Sequence, residues 1–183
     1  DYREFDEHLR NIDDFSWIVF SSRYGVEYFF RRLRGIGLDF RVLKGIKIAA
    51  IGKSTEKQLS EFGIKADLVP KLESSRGLLE EFKKIGIKGE RIFMPRSDLA
   101  DKGLQRGLKK LGAKVTSAVA YRNVMPKDLP DVDLNAFDEI YFTSPSTVRN
   151  FRKKYGRVPR GVKVRCIGKV TEKEYYGMRK GKL

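Results

Sequence analysis

Two short motifs each occur twice in this chain, and they recur in the same order. Phe20-Ser21-Ser22 returns as Phe142-Thr143-Ser144, and Ile-Gly-Lys-x-Thr at residues 51–55 returns at residues 167–171. Each copy follows a short apolar run and opens a polar segment that suits a helix. The repetition therefore predicts two related α/β units with matching strand-to-helix corners.

Corners of this kind present free backbone N–H groups, and they can bind anions. Lys53 and Lys169 lie at the predicted helix starts, where the macrodipole disfavours a cation unless negative charge is nearby. A second interpretation needs no ligand, because Thr-x-x-Gln at 55–58 and Thr-x-x-Glu at 171–174 both fit a capping box. Capping explains any one corner better, whereas for four corners in two units a shared anionic ligand becomes a competitive explanation.

Charge and composition narrow the classes of partner. The chain has 183 residues, 40% of them hydrophobic, which is enough for real cores. A net charge of +15 would attract nucleic acid, an anionic membrane surface or a polyanionic small molecule. Charge alone does not choose between these partners.

The single cysteine and single histidine exclude several kinds of site. Cys166 lies in an apolar run and is predicted to be a buried strand residue, and His8 lies in a polar N-terminal segment. These residues argue against a disulfide framework, a zinc site and a Ser-His or Cys-His catalytic pair. No apolar run approaches the ~20 residues of a membrane span, and we expect no signal peptide. We expect a soluble cytoplasmic protein, and a chain that starts at Asp1 without methionine is expected to be a fragment.

Strands and helices alternate through the first two thirds of the chain. Strands are predicted at 15–21, 47–51, 66–69, 91–94 and 114–121, and helices at 2–12, 24–34, 55–62, 74–85 and 99–111. The alternation predicts a doubly wound parallel sheet, in which ligands lie at the carboxyl ends of the strands. The residues expected at that edge are Ser21, Ser22, Gly52, Lys53, Thr55, Pro95, Arg96 and Ser97.

A Pro- and Asp-rich linker at 125–133 precedes a second unit. This unit has predicted strands at 138–143 and 162–167 and predicted helices at 146–155 and 171–176. Two strands do not make a stable parallel sheet alone. They either join the first sheet, or the rest of their domain is missing.

Six segments taken in order resemble the uroporphyrinogen-III synthase family. They are Trp17–Ser22 with Gly25-Val26, Ala50–Thr55, Phe93–Asp98, Val119–Val124, Tyr141–Ser146 and Cys166–Thr171. Each is a generic corner by itself, but the composite order covers nearly the whole chain.

The resemblance implies a lyase of porphyrin and heme biosynthesis that closes hydroxymethylbilane into uroporphyrinogen III, with inversion of ring D and loss of water. It implies no metal or cofactor, no nucleic-acid or membrane partner, and a monomer at full length. It also implies two flavodoxin-like, doubly wound domains, one inserted in the other. By that template residues 1–4 are a terminal extension, 5–119 the inserted domain, 120–133 the connector, and 134–183 an incomplete second domain, which leaves the activity of this length of chain open.

The resemblance also assigns roles to residues. Tyr121 matches a family tyrosine and is the candidate proton donor, although a strand-end tyrosine that bridges the domains explains it as well. Arg23, Lys53 and Lys169 replace residues that are usually proline or small. The candidate substrate-binding residues are Ser21, Ser22, Gly52, Lys53, Ser54, Thr55, Arg96, Ser97, Thr143, Ser144, Ser146, Gly168, Lys169 and Thr171.

The chemistry implied by the resemblance suits the corners, because a substrate with eight carboxylates needs N–H-rich sites and a positive field. A non-catalytic basic α/β module that binds nucleic acid is the alternative, with Arg, Lys, Tyr and Phe interleaved at 24–34 and 155–165. Against it, the aromatic residues fall on apolar helix faces, and Tyr28, Phe29 and Phe30 are predicted to be core rather than a platform for base stacking. A binding protein for a phosphorylated ligand has no P-loop or Gly-x-Gly-x-x-Gly to support it.

Overall fold

The computed structural model describes the backbone of residues 2–180 and the side chains of residues 2–177. Asp1 and residues 181–183, at the ends of the predicted 1–4 and 134–183 segments, lie outside the described residues. The chain divides into two compact units, Asp1–Asn123 (unit 1) and Val124–Leu183 (unit 2). Within residues 2–180, no helix is both long and apolar enough to cross a membrane.

Unit 1 is a four-stranded parallel sheet in the order β2-β1-β3-β4, with helices on both faces. Its strands are β1 (Trp17–Phe20), β2 (Lys47–Ala50), β3 (Arg91–Ser97) and β4 (Lys114–Tyr121), and its helices are α1 (Arg3–Arg10), α2 (Arg23–Gly35), α3 (Lys53–Glu61), α4 (Ser75–Ile85) and α5 (Gly103–Lys110).

Two apolar cores cover the two faces of this sheet, because successive side chains of a strand point in opposite directions. Ile18 and Phe20 of β1 belong to one core, with apolar side chains of α1, α2 and α3. Trp17 and Val19 belong to the other, with apolar side chains of α4 and α5. All four residues of β1 are buried, as expected for the central strand of a parallel sheet.

The segment predicted as a strand at 66–69 forms only an isolated bridge, in which Leu68 pairs with Ala49. The backbone N–H of Ile48 donates to the Asp67 carboxylate at 2.7 Å rather than to a carbonyl of the segment. A side chain has therefore taken one of the donors that a longer ladder would use.

Strand β3 continues through Pro95, where the sequence predicted its end. Proline has no N–H to give to a neighbouring strand. Here β1 pairs with β3 only at Ile92 and Phe93, whereas β4 pairs with β3 as far as Ser97. Pro95 thus lies beyond the β1 pairing, where its missing N–H removes no bond to β1.

Unit 2 forms its own two-stranded parallel sheet, so its strands do not join the sheet of unit 1. Its elements are β5 (Glu139–Phe142), α6 (Pro145–Tyr155), β6 (Lys163–Cys166) and α7 (Lys169–Lys180). Phe142 is buried and its ring packs against Phe151 and Tyr175. Cys166 lies in β6 as predicted, but it is half-buried rather than buried.

Candidate functional site

The carboxyl ends of the four strands of unit 1 bring most of its predicted site residues to one edge. Across this edge lie Gly52 after β2, Ser22 after β1, Arg96 near the end of β3 and Tyr121 at the end of β4. The strand order reverses direction between β1 and β3, and a doubly wound sheet binds ligands at such a switch point.

Ser22 and Tyr121, 99 positions apart in sequence, meet at this edge. Ser22 is the N-cap of α2, where its Oγ accepts the backbone N–H of Gly25 at 3.0 Å. The same Oγ lies 3.1 Å from the Tyr121 hydroxyl. Gly25 permits the approach, since a Cβ there would lie 3.2 Å from the Pro95 carbonyl oxygen. Helix α2 therefore begins close to the end of β3, within reach of the end of β4.

Two tyrosines that the sequence did not single out as site residues surround Tyr121. The Tyr28 ring stacks on the Tyr121 ring with centroids 5.2 Å apart, and the Tyr24 ring lies 6.0 Å away. Arg23 donates to the Tyr24 hydroxyl at 3.0 Å and also lies over that ring. Of the three residues predicted to be core, Phe29 and Phe30 are buried as expected, whereas Tyr28 is only half-buried and packs against the edge of that core.

Helix α3 begins at Lys53, and its N-cap residue is Gly52, which has no side chain to accept a hydrogen bond from the first turn. The predicted capping box at 55–58 is therefore wrong, and the Gln58 amide donates to Glu61 instead. The backbone N–H of Lys53 donates to the Glu73 carboxylate at 2.9 Å. Sequence reasoning missed Glu73, because it is 20 positions away and carries no motif.

Thr55 and Thr171 share an unusual environment. Each is 3% exposed, and together they are the only buried polar residues among the described side chains. Because α7 begins at Lys169, Thr171 also lies inside its helix, and the predicted capping box at 171–174 is wrong as well. The two threonines occupy the same third position of their helices, beneath the first turn.

Arg96 and Ser97 are held mainly by the protein itself. Arg96 Nη1 donates to the carbonyl oxygens of Ser97 and Ala100 at 3.4 and 3.3 Å, and its buried Nε has no partner among the described residues. Ser97 donates to Asp98, which also accepts the backbone N–H of Asn123. These hydrogen bonds, led by that from Asn123, hold the pKa of the Asp98 carboxyl below its usual value.

Unit 2 repeats both kinds of corner. Ser144 caps α6 in a capping box with Thr147, and its Oγ lies 2.9 Å from the Ser146 hydroxyl. Thr143 and Lys169 are exposed, and Gly168 has a φ of +82°, a value that favours glycine. Burial raises the pKa of the neighbouring Cys166 thiol, and Glu172 adds to the effect.

Fold and corners together define a doubly wound α/β protein whose sheet edges present hydroxyl groups and helix N-termini. The family described as uroporphyrinogen-III synthase HemD matches residues 1–180. A relative from Methanothermobacter thermautotrophicus is 34% identical over 179 residues, which are 90% of this chain and 70% of that protein. The uroporphyrinogen-III synthase of Synechococcus elongatus is 32% identical over 152 residues, which are 80% of this chain and 57% of that protein.

Solved structures agree on the fold. A mutant uroporphyrinogen III synthase of Thermus thermophilus superposes with a TM-score of 0.67 at 18% identity, over 97% of this chain and 74% of that one. The enzyme of Helicobacter pylori gives 0.66 at 21% identity, over 90% of this chain and 75% of that one. The family model and the relative at 34% identity show that this chain belongs to the uroporphyrinogen-III synthase family. The predicted α/β fold and the predicted enzyme type, a cyclising lyase of porphyrin and heme biosynthesis, are confirmed, and the nucleic-acid alternative is not favoured.

Proposed function

We propose that this chain binds hydroxymethylbilane and closes it into uroporphyrinogen III, with inversion of ring D and loss of water, as a cytoplasmic monomer. The observation that carries the proposal is the placement of the Tyr121 hydroxyl beside the N-terminus of α2, at the switch point of the sheet. In a family of this activity, that edge is where a ligand of a doubly wound sheet belongs.

Binding would rest on the helix N-termini, because the substrate carries eight carboxylates. Backbone N–H groups at a helix start bind a carboxylate directly, and the macrodipole favours its charge. Hydroxyl groups add further donors, and the net charge of +15 raises the local concentration of a polyanion. The proposed substrate-binding residues are Ser21, Ser22, Gly52, Lys53, Ser54, Thr55, Arg96, Ser97, Thr143, Ser144, Ser146, Gly168, Lys169 and Thr171.

Tyr121 would act as the proton donor. As the C–O bond of the hydroxymethyl group breaks, with assistance from the adjacent pyrrole nitrogen, the Tyr121 proton passes to the leaving oxygen and water departs. A carbon–carbon bond then forms at the substituted carbon of ring D, and the bond from that carbon to the methylene of ring C breaks. The freed methylene joins the unsubstituted carbon of ring D, and the proton lost from that carbon balances the one that Tyr121 gave. Closure at that carbon rather than at the free one is a problem of positioning, which bound carboxylates solve by holding the chain.

The test separates the two product isomers. The chain is incubated with freshly generated hydroxymethylbilane, the products are oxidised, and uroporphyrins I and III are separated by chromatography. We expect type III in excess over the type I that forms spontaneously. Only type I, from a chain shown by circular dichroism to be folded, would contradict the proposal.

Tyr121→Phe is the matched variant for the proton donor, because it removes one hydroxyl and keeps the ring. A general acid contributes about 10²–10⁴-fold to rate in enzymes generally, and we expect a loss at the lower end because the pyrrole nitrogen assists departure. Turnover is measured under saturating substrate, alongside thermal unfolding. Unchanged turnover in a folded variant would remove Tyr121 as the donor.

A further inference from the structure

The Tyr121 hydroxyl is coupled to the start of helix α2 through one side chain. Ser22 Oγ lies 3.1 Å from Tyr121 Oη and accepts the Gly25 N–H at 3.0 Å, so a single atom joins the phenol to the helix N-terminus. We infer that Ser22 is a positioning residue that acts through Tyr121 and directs the Tyr121 proton toward the substrate. This inference rests on the proposed function.

Either hydroxyl can be the donor in the Ser22–Tyr121 hydrogen bond, and the bond from Gly25 leaves the Ser22 proton available for donation in the reactive state. A hydroxyl has one proton to donate and two lone pairs that accept. The Gly25 N–H occupies one lone pair of Ser22 Oγ. When Ser22 donates its proton to Tyr121 Oη, the Tyr121 proton is free to point at the leaving oxygen. Ser22 then stabilises the negative charge that develops on the phenol oxygen as the proton leaves.

The helix strengthens this arrangement. The first N–H groups of an α-helix carry about half a positive charge in sum. The Gly25 N–H polarises the Ser22 hydroxyl, because hydrogen bonds in a chain reinforce one another. Through Ser22, the positive charge at the N-terminus of α2 therefore stabilises the Tyr121 phenol oxygen, which the helix N–H groups do not contact directly.

Helix α2 also fixes the Tyr121 ring. Tyr24 and Tyr28 lie four residues apart on α2, so they share one face of the helix. The Tyr28 ring stacks on Tyr121 with an interplanar angle of 16°, and Tyr24 approaches at 51°. One helix thus supplies both the hydroxyl that contacts the phenol oxygen and the rings that orient the phenol plane.

A purely structural role is the competing explanation, because an N-cap serine stabilises its helix without any partner beyond it. The chain contains a matched control for that role. Ser74 caps α4 in the same unit with the same Ser-x-x-Gly spacing, and its Oγ accepts the Gly77 N–H at 3.1 Å. No tyrosine hydroxyl bonds to Ser74 among the described residues.

The test compares Ser22→Ala with Ser74→Ala. We expect Ser22→Ala to lower kcat for type III formation about tenfold, a larger change than the one in KM, and Ser22→Thr to restore most of kcat. Ser74→Ala lowers thermal stability to a similar extent but keeps kcat within twofold. In the Tyr121→Phe background, Ser22→Ala lowers kcat no further, since residues that act as a unit are not additive.

A spectroscopic readout tests the contact without turnover. Tyrosine labelled with ¹³C at Cζ gives a Tyr121 resonance, which its loss in Tyr121→Phe assigns. Ser22→Ala moves this resonance, Ser22→Thr returns it, and Ser74→Ala leaves it in place. Two results would overturn the inference on Ser22 and leave the proposed function intact. One is additive losses of kcat from Ser22→Ala and Tyr121→Phe, and the other is type III product together with a Tyr121 resonance that Ser22→Ala does not move. A moved resonance with no type III product from any variant would overturn the proposed function and with it the role of Ser22.

Discussion

The two Gly-Lys corners, residues 51–55 and 167–171, share the letters Ile-Gly-Lys-x-Thr but differ in backbone and in what lies at the helix start. In both corners the helix begins at the lysine and the threonine is buried. Gly52 is extended, with a φ of −177°, whereas Gly168 has a φ of +82°. The motif therefore determines the helix start and the buried hydroxyl, but not the conformation of the glycine.

The first corner is closed by a carboxylate of its own chain. The segment between α3 and α4 brings Glu73 to the Lys53 N–H at 2.9 Å. In the part of unit 2 that the structure describes, no carboxylate accepts from the Lys169 N–H. The comparison teaches that a distant residue decides whether a helix N-terminus remains available, so we expect the second corner to bind a substrate carboxylate more readily than the first.

The largest expected effect on stability comes from a substitution in the first corner, Gly52→Ala. A Cβ at Gly52 would clash with Glu73 Oε2 and lie 3.0 Å from Glu73 Cβ, so Gly52→Ala has to displace Glu73. We expect a loss of about 1–3 kcal/mol in the free energy of unfolding, typical of overpacking. Denaturant unfolding followed by the fluorescence of Trp17, the single tryptophan, reports on unit 1. Adding Glu73→Ala should recover part of the loss, and an additive double variant would show that the contact is not the cause.

A substitution at Gly168 in the second corner should destabilise the start of α7 for a different reason. Among the described residues no atom lies within 4 Å of a Cβ built at Gly168, but the positive φ of Gly168 costs an alanine about 1–2 kcal/mol. We expect Gly168→Ala to speed amide hydrogen exchange at the start of α7. Gly168→Asn should cost less, because asparagine tolerates this region. Equal exchange in both variants and in the unchanged chain would contradict the backbone explanation.

A smaller effect should follow from removing the Glu73 charge. Glu73→Gln keeps the shape of the side chain but loses a negative charge at the N-terminus of α3, a contribution of about 0.3–1 kcal/mol. Glu56→Gln is the control, because Glu56 lies in the first turn of the same helix without a hydrogen bond to its N-terminus. Both variants are followed by Trp17 fluorescence at low and high salt. The same loss in both would mean that general charge, and not the bond to Lys53, is responsible.

The smallest expected effect is on the stability of the chain at acidic pH. Asp98 also accepts backbone N–H groups at the edge of unit 1, which holds its pKa below the usual value. Its carboxylate therefore stabilises the folded chain above the unfolded pKa of about 3.9, and this contribution is lost as pH falls through the lower folded pKa. Asp98→Asn should lower stability near neutral pH and flatten its fall below about pH 4. An unaltered slope in acid unfolding of the variant would exclude this contribution.

Local sequence determined much of this fold and less of its site. Strand β4 has its predicted bounds, 114–121, because a branched, apolar run is sufficient to specify it. The prediction of a strand at 66–69 was wrong because the Asp67 side chain accepts a hydrogen bond that a backbone carbonyl would accept in a longer strand. The predicted end of β3 at Pro95 was wrong because the sequence does not reveal where the pairing between β1 and β3 stops. Glu73 and the Tyr28 stack reach the site through tertiary contacts that no local pattern records.

The most direct test of the account asks where a carboxylate-rich tetrapyrrole binds. Uroporphyrinogen III, kept under nitrogen, is titrated into ¹⁵N-labelled chain while backbone amide resonances are followed. We predict that the Lys169 amide at the open second corner shifts strongly and that the Lys53 amide, already bonded to Glu73, shifts less. Saturable binding with no shift at any corner amide would contradict the claim that these helix N-termini hold the substrate.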